Sequence, residues 1–201
     1  MEKKPEKRRQ FLNHSLTLLL GTAGLTASRS DAATIKTEQQ VILTLTGAID
    51  RTNRPKMDGV TDQLMHKHGI QFERAWSFSL ADLEKLPAVT VSPTMEYDAK
   101  AHQLRGPRLL DVLNVAGISK GSPSRLRLHG IDGYSPEISY EVAQRNNFVV
   151  ATHLDGALLA VGGFGPLFAI FDADRIPEMA QEPLTQRFAD CPWGLYCIEV
   201  V

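Results

Sequence analysis

At 201 residues the chain is long enough to bury a sizeable core, and its 43% hydrophobic and 22% charged content is that of an ordinary globular domain. The formal net charge is -1, but residues 1–32 hold six of the 22 basic and three of the 23 acidic side chains, leaving 16 basic against 20 acidic groups in the rest. A domain with that acidic balance has no basic excess with which to neutralise phosphates, which argues against nucleic acid as a partner.

Residues 1–32 read as an export leader. Lys3, Lys4, Lys7, Arg8 and Arg9 form a basic start, followed by an apolar stretch over residues 16–27. That stretch is shorter than the roughly 20 residues of a bilayer span and suits the apolar region of a signal peptide. Arg8-Arg9-Gln10-Phe11-Leu12 is similar to the twin-arginine motif, and Ser30 and Ala32 are small residues suited to cleavage after Ala32. The expectation is a periplasmic protein exported by the twin-arginine route, with a folded domain over residues 33–201 and no stable membrane insertion after cleavage. That route carries proteins already folded, often around a cofactor.

Along the rest of the chain, residues 40–47 alternate as a strand rich in β-branched residues and close on Gly47. Residues 60–68 suit a short helix. Ser79 to Glu84 reads as a one-turn helix with Ser79 as N-cap and Asp82 as the acidic half of a capping box; Pro87 stops it and residues 88–91 form a strand. Residues 90–117 are the stretch around which the chain is organised: a strand end, a polar loop, and a helix entered through Gly106 and Pro107, with Leu109, Leu110 and Leu113 on one face. Residues 125–129 alternate as a half-exposed strand, residues 130–135 form a turn, and residues 140–143 a helical turn. Residues 148–152 read as a buried strand, Asp155-Gly156 as a hairpin, residues 167–171 as an apolar strand after a glycine-rich loop, and residues 193–201 as a closing strand. Many short strands, few helices and no repeats predict a β-rich α+β domain.

Few side chains stand out for their chemistry. Arg105 and Arg108 flank the helix entry and either share an anion there or are simply solvated. Gly162-Gly163-Phe164-Gly165 either cradles a phosphate through backbone amides or forms a tight turn; it lacks the Gly-Lys-Ser/Thr of a P-loop. His66 and His68 are two apart, the wrong spacing for a helical metal pair, and read as surface groups. His102 and His129 read first as structural or surface groups, His102 being the better placed to line a cleft. Cys191 and Cys197 are too far apart in an extended run to bridge easily, which favours two buried free thiols over a disulfide. No residue is assigned as a metal ligand.

Taken in order, Phe78 to Pro87 (F-S-L-A-D-L-E-K-L-P), L-R-G-P-R-L-L-D-V-L from Leu104, Asp132-Gly133-Tyr134, Gly165-Pro166-Leu167 and Trp193-x-Leu195-x-x-Ile198 resemble the sulfite-oxidase-type molybdopterin-binding domain, in its small exported form. The resemblance covers nearly all of the chain from Val41 onward. It implies an α+β fold with a mixed, barrel-like sheet arrangement around a molybdopterin cofactor, and oxygen-atom transfer by the full-length enzymes. It also implies a cofactor cleft at Thr94, Tyr97, Arg105, Arg108, Asp132, Tyr134, Gly165 and Pro166.

The chain departs from the family at the metal. The resemblance calls for a cysteine thiolate in the loop after the strand at residues 88–91, a soft ligand suited to such a centre. Here that loop is Ser92-Pro93-Thr94-Met95-Glu96-Tyr97, with Thr94 the nearest analogue, and Phe168 stands where the family tends to have arginine. Two functions therefore remain: a periplasmic oxidoreductase or redox accessory protein, or a cofactor-free module that binds a small ligand or a redox or signalling partner.

Overall fold

The computed structural model describes residues 39–118 and 125–201, and the expected export leader lies outside the described residues. β1 (Val41–Gly47) alternates as expected, and both of its faces are covered. Leu43 and Leu45 enter the larger of two hydrophobic cores. Thr44 and Thr46 point the other way and are nearly fully buried. The Arg54 guanidinium donates to the Thr44 hydroxyl at 2.7 Å, and the Thr46 hydroxyl donates to the Arg74 carbonyl. Buried hydroxyls need such partners, because an unpaired one costs roughly 1–3 kcal/mol.

α1 (Gln63–Lys67) sits in the segment that covers this second face. Met57, Met65, Ile70 and Phe72 pack there against Ala75, Tyr196 and Cys197 as a small second core. His68 is more than a surface group: its Nδ1 lies 2.8 Å from the Tyr196 hydroxyl. β2 (Ala75–Ser79) runs antiparallel to β1. The sequence shows this strand poorly, since both of its faces are partly covered and its alternation is blurred.

α2 (Leu80–Glu84) follows directly and has the expected capping box. The Asp82 amide donates to Ser79 Oγ at 3.2 Å, and the Ser79 amide donates back to the Asp82 carboxylate at 3.1 Å. Lys85 first, then the Ser79 hydroxyl and amide, hold the Asp82 carboxyl down at about 2. The charge on the box is therefore kept until strongly acid pH. Ser79→Ala is expected to lower stability by about 1 kcal/mol, read as a shift in the urea midpoint with unchanged slope; no shift would mean that the cap is not formed in solution.

β3 (Ala88–Val91) pairs with β4 (Leu104–Pro107), which pairs in turn with β8 (His153–Leu154) and β9 (Ala157–Leu158). Here the helix entry expected at Gly106-Pro107 is corrected. Those residues are strand, and α3 (Leu109–Val115) begins only after Arg108, an N-cap in extended conformation. Local chemistry suits both readings; the pairing of Val89 with Gly106 and Thr90 with Arg105 decides for the strand. The Asp155-Gly156 turn has φ of 49° and 84° and joins β8 to β9 as the hairpin signal predicts.

β5 (Arg125–Gly130) and β6 (Glu137–Ser139) flank a turn, and α4 (Tyr140–Arg145) starts from a Ser139 cap. β7 (Val149–Ala151) pairs with β10 (Phe168–Ile170). A 3-10 turn (Ala173–Arg175), α5 (Pro177–Ala180) and α6 (Leu184–Arg187) occupy the polar, proline-bearing region before β11 (Leu195–Val200). β11 lies in the middle of the main sheet, whose order is β2-β1-β11-β5-β6. It runs parallel to β1 and antiparallel to β5.

The α+β class holds, but the three sheets are open and no closed barrel forms among the described residues, which corrects the barrel-like expectation. Both cysteines are free and buried, and they belong to different cores, Cys191 to the larger and Cys197 to the smaller. No helix among the described residues is long and apolar enough to cross a membrane.

Candidate functional site

The loop after β3 folds back on itself. The Met95 amide donates to the Lys100 carbonyl at 2.8 Å, the Ala99 amide to the Met95 carbonyl, and the His102 amide to the Pro93 carbonyl. Met95 is 3% exposed and pins the loop to the larger core, leaving Tyr97 at its tip. His102 braces the base of the loop: Nδ1 lies 2.7 Å from the Asp155 carboxylate and Nε2 3.1 Å from that of Asp98. Asp155 first, then Asp98, raise the imidazole pKa. His102 and the lining residues Met95, Tyr97 and Phe164 bound an apolar hollow of about 260 Å³.

Thr94 is committed elsewhere. Its amide and its hydroxyl both donate to Asp174 Oδ2, at 2.7 and 2.8 Å, and Asp174 Oδ1 accepts from Arg187 at 2.8 Å. The sequence shows nothing of this partner, which lies eighty residues away.

The turn after β5 carries the next two candidates. The Gly130 amide donates to the Tyr134 carbonyl at 2.8 Å, and the Tyr134 amide donates to Asp132 Oδ1 at 3.0 Å. The Tyr134 hydroxyl donates to the Ala189 carbonyl and so ties this turn to the segment after α6. Phe188 and Cys191 of that segment are buried, at 8% and 5% exposed. Behind them Phe171 packs its ring 4.9 Å from Phe148 and 6.3 Å from Phe188, centroid to centroid.

Three of the eight expected cleft residues therefore meet. Tyr97, Asp132 and Tyr134 line one open cavity of about 180 Å³, together with Glu96, Phe188, Cys191 and Trp193. Glu96, Phe188, Cys191 and Trp193 do not stand out as site residues in the sequence, because they acquire this role only when three distant loops converge.

Gly165 and Pro166 are not among the residues that line this cavity; they follow Phe164, which lines the neighbouring hollow. The Gly194 amide donates to the Phe164 carbonyl at 2.9 Å, and the Phe164 ring stands 5.3 Å from Tyr97 and 5.6 Å from Phe168. A Cβ on Gly165 would lie 2.5 Å from the Leu159 carbonyl oxygen, so the chain approaches itself too closely there for any side chain. The Gly163 and Gly165 amides both donate to the Ala160 carbonyl at 3.0 Å. With those two donors spent, the glycine-rich loop is a tight turn rather than a phosphate cradle.

Arg105 and Arg108 do not share an anion site. Arg105 is exposed on β4 opposite Thr90 and His153. Arg108 borders a separate cleft of about 460 Å³ with Arg145 and Arg175, where Arg175 pairs with Asp172 at 3.2 Å. His129 is a core residue, 4% exposed, with Nδ1 at 3.0 Å from the Ser135 hydroxyl; burial lowers its pKa.

The cavity does not fit a molybdenum cofactor. The Thr94 hydroxyl proton is given to a carboxylate, and the thiol in the wall, Cys191, has its pKa pushed well up by burial, then by Asp190. Glu96 and Asp132 would repel an anionic dithiolene and its phosphate, and no lysine or arginine among the described residues lines the cavity. Its volume is also below the roughly 300–1,000 Å³ usual for cofactor-sized ligands. No cluster of three or more histidine, cysteine or carboxylate groups suited to a metal occurs among the described residues.

No family model matches the chain, and no curated protein matches it in sequence. Among solved structures, the sulfane dehydrogenase SoxCD from Paracoccus pantotrophus has a similar fold, with a TM-score of 0.51 at 13% identity, over 81% of this chain and 38% of that one. The chain thus spans under two fifths of the length of the protein it matches. At that identity the likeness shows the fold alone, one consistent with a sulfite-oxidase-like domain.

Proposed function

We propose that a fold similar to that of a redox enzyme serves here as a cofactor-free binding module, with the cavity between the Tyr97, Asp132 and Phe188 loops as its recognition site. The observation that carries this reading is the Thr94–Asp174 contact. At the position where the resemblance calls for a metal-bound thiolate, the side chain and its backbone amide are tied into a hydrogen-bonded carboxylate. The acidic wall of the cavity supports it, since an anionic cofactor would meet like charge. The reading extends to export by the twin-arginine route and to a sensing or accessory role beside a redox or signalling partner in the periplasm, on the strength of Arg8, Arg9 and the apolar stretch that follows them.

The test is chemical. The protein purified from cells that make and export molybdopterin is expected to hold far less than one molybdenum and one pterin per chain. Near-stoichiometric metal in the folded, exported protein overturns the binding-module reading in favour of an oxidoreductase.

A further inference from the structure

The ligand of this module is left open by the fold, but the cavity wall has a definite chemistry. Tyr97, Tyr134, Trp193 and Phe188 bring four aromatic rings to one small space, and Glu96 and Asp132 bring two carboxylates. Among the described residues, no lysine, arginine or histidine lines it. Burial first, and then the Glu96 carboxylate, raise the pKa of Tyr97; burial first, and then Asp190, raise that of Tyr134. In both, burial is the leading cause and the nearby carboxylates add to it.

Each simple ligand class can be weighed against that wall. An anion would meet two carboxylates and no counter-charge. A neutral apolar molecule would desolvate those carboxylates with nothing in return. A metal ion lacks a set of three ligands among the described residues. A weakly hydrated organic cation suits all the parts: aromatic faces attract a cation within about 6 Å of their centroids, and the carboxylates balance its charge. A primary ammonium is a poorer match for the aromatic faces, because it is strongly hydrated.

We propose that the cavity binds a small quaternary or methylated ammonium compound, held by the Tyr97, Tyr134 and Trp193 rings and by the Glu96 and Asp132 charges. This rests on the binding-module reading and specifies its ligand. The volume of about 180 Å³ suits a methylated headgroup, with any tail leaving through the open mouth.

The experiment is a calorimetric titration of the full chain with choline and, separately, with dimethylbutanol, its uncharged carbon isostere. Choline is expected to bind at least about tenfold more tightly than the isostere, the discrimination that cation–π and carboxylate contacts together supply. Glu96→Gln combined with Asp132→Asn should weaken choline by about tenfold and leave dimethylbutanol unchanged. The asparagine side chain keeps a carbonyl oxygen for the Tyr134 amide, and circular dichroism checks that the fold is retained. Equal binding of the two compounds, or choline binding indifferent to the paired substitution, overturns the cation assignment while the binding-module reading stands. No choline binding also overturns the assignment. Stoichiometric molybdenum in the same preparation is the separate result that removes the module reading itself.

Discussion

Gly106→Ala is expected to destabilise the domain by about 3 kcal/mol or more, a large cost for one methyl group. Gly106 sits where β4 crosses β7, and a Cβ there would lie 2.0 Å from the Val150 carbonyl oxygen and 2.9 Å from the Ala151 Cα. Both atoms are backbone, so no rotamer change relieves the overlap. The crossing is also tied on either side: the Thr152 amide donates to the Arg105 carbonyl at 2.9 Å and the Leu109 amide to the Phe148 carbonyl at 2.8 Å. Separating the strands to admit the methyl would strain both bonds. Alanine restricts the unfolded chain more than glycine does, which offsets roughly 0.4–1 kcal/mol of the loss, so the steric term decides the sign. The measurement is urea unfolding, and a loss below about 0.5 kcal/mol would mean that the two strands do not approach this closely.

Phe171→Ala is expected to cost about 3–5 kcal/mol and to weaken ligand binding as well. The side chain is 3% exposed and lies between the Phe148 and Phe188 rings. Truncation leaves a void in the larger core, and Phe188, which walls the ligand cavity, loses its support. Phe171→Leu fills most of the space and should cost less than about 1.5 kcal/mol with affinity largely kept. Equilibrium unfolding gives the first quantity and choline titration of the folded protein the second. Unchanged affinity in a folded Phe171→Ala protein would place Phe188 outside the binding wall.

Features written in neighbouring residues are legible from the sequence. The Ser79–Asp82 box and the Asp155-Gly156 turn each depend on a few adjacent side chains and dihedrals, and both form as expected. The Gly106-Pro107 segment misleads because its local signals favour a helix entry, whereas its pairing with β3 and its contact with β7 lie far away in the chain. The site follows the same rule. Asp132 and Tyr134 stand in a motif that the eye can find and Tyr97 in the loop after β3, but Phe188 and Cys191 come from a stretch without helical or strand period. Asp174, which occupies Thr94, has no sequence signal at all. Long-range partners, rather than weak propensities, account for what the sequence hides.

The place of β11 in the main sheet has a consequence for biosynthesis. Its parallel pairing brings Thr44 beside Cys197, and on its other side it holds β5. Without it the sheet falls into two hairpin-like pairs, β2 with β1 and β5 with β6, each with an open edge. A nascent chain on the ribosome therefore exposes β1 and β5 until nearly the whole of this sequence has emerged. Closure of such a distant contact is slow, and through that interval the unpaired strands need a chaperone more than the finished domain does.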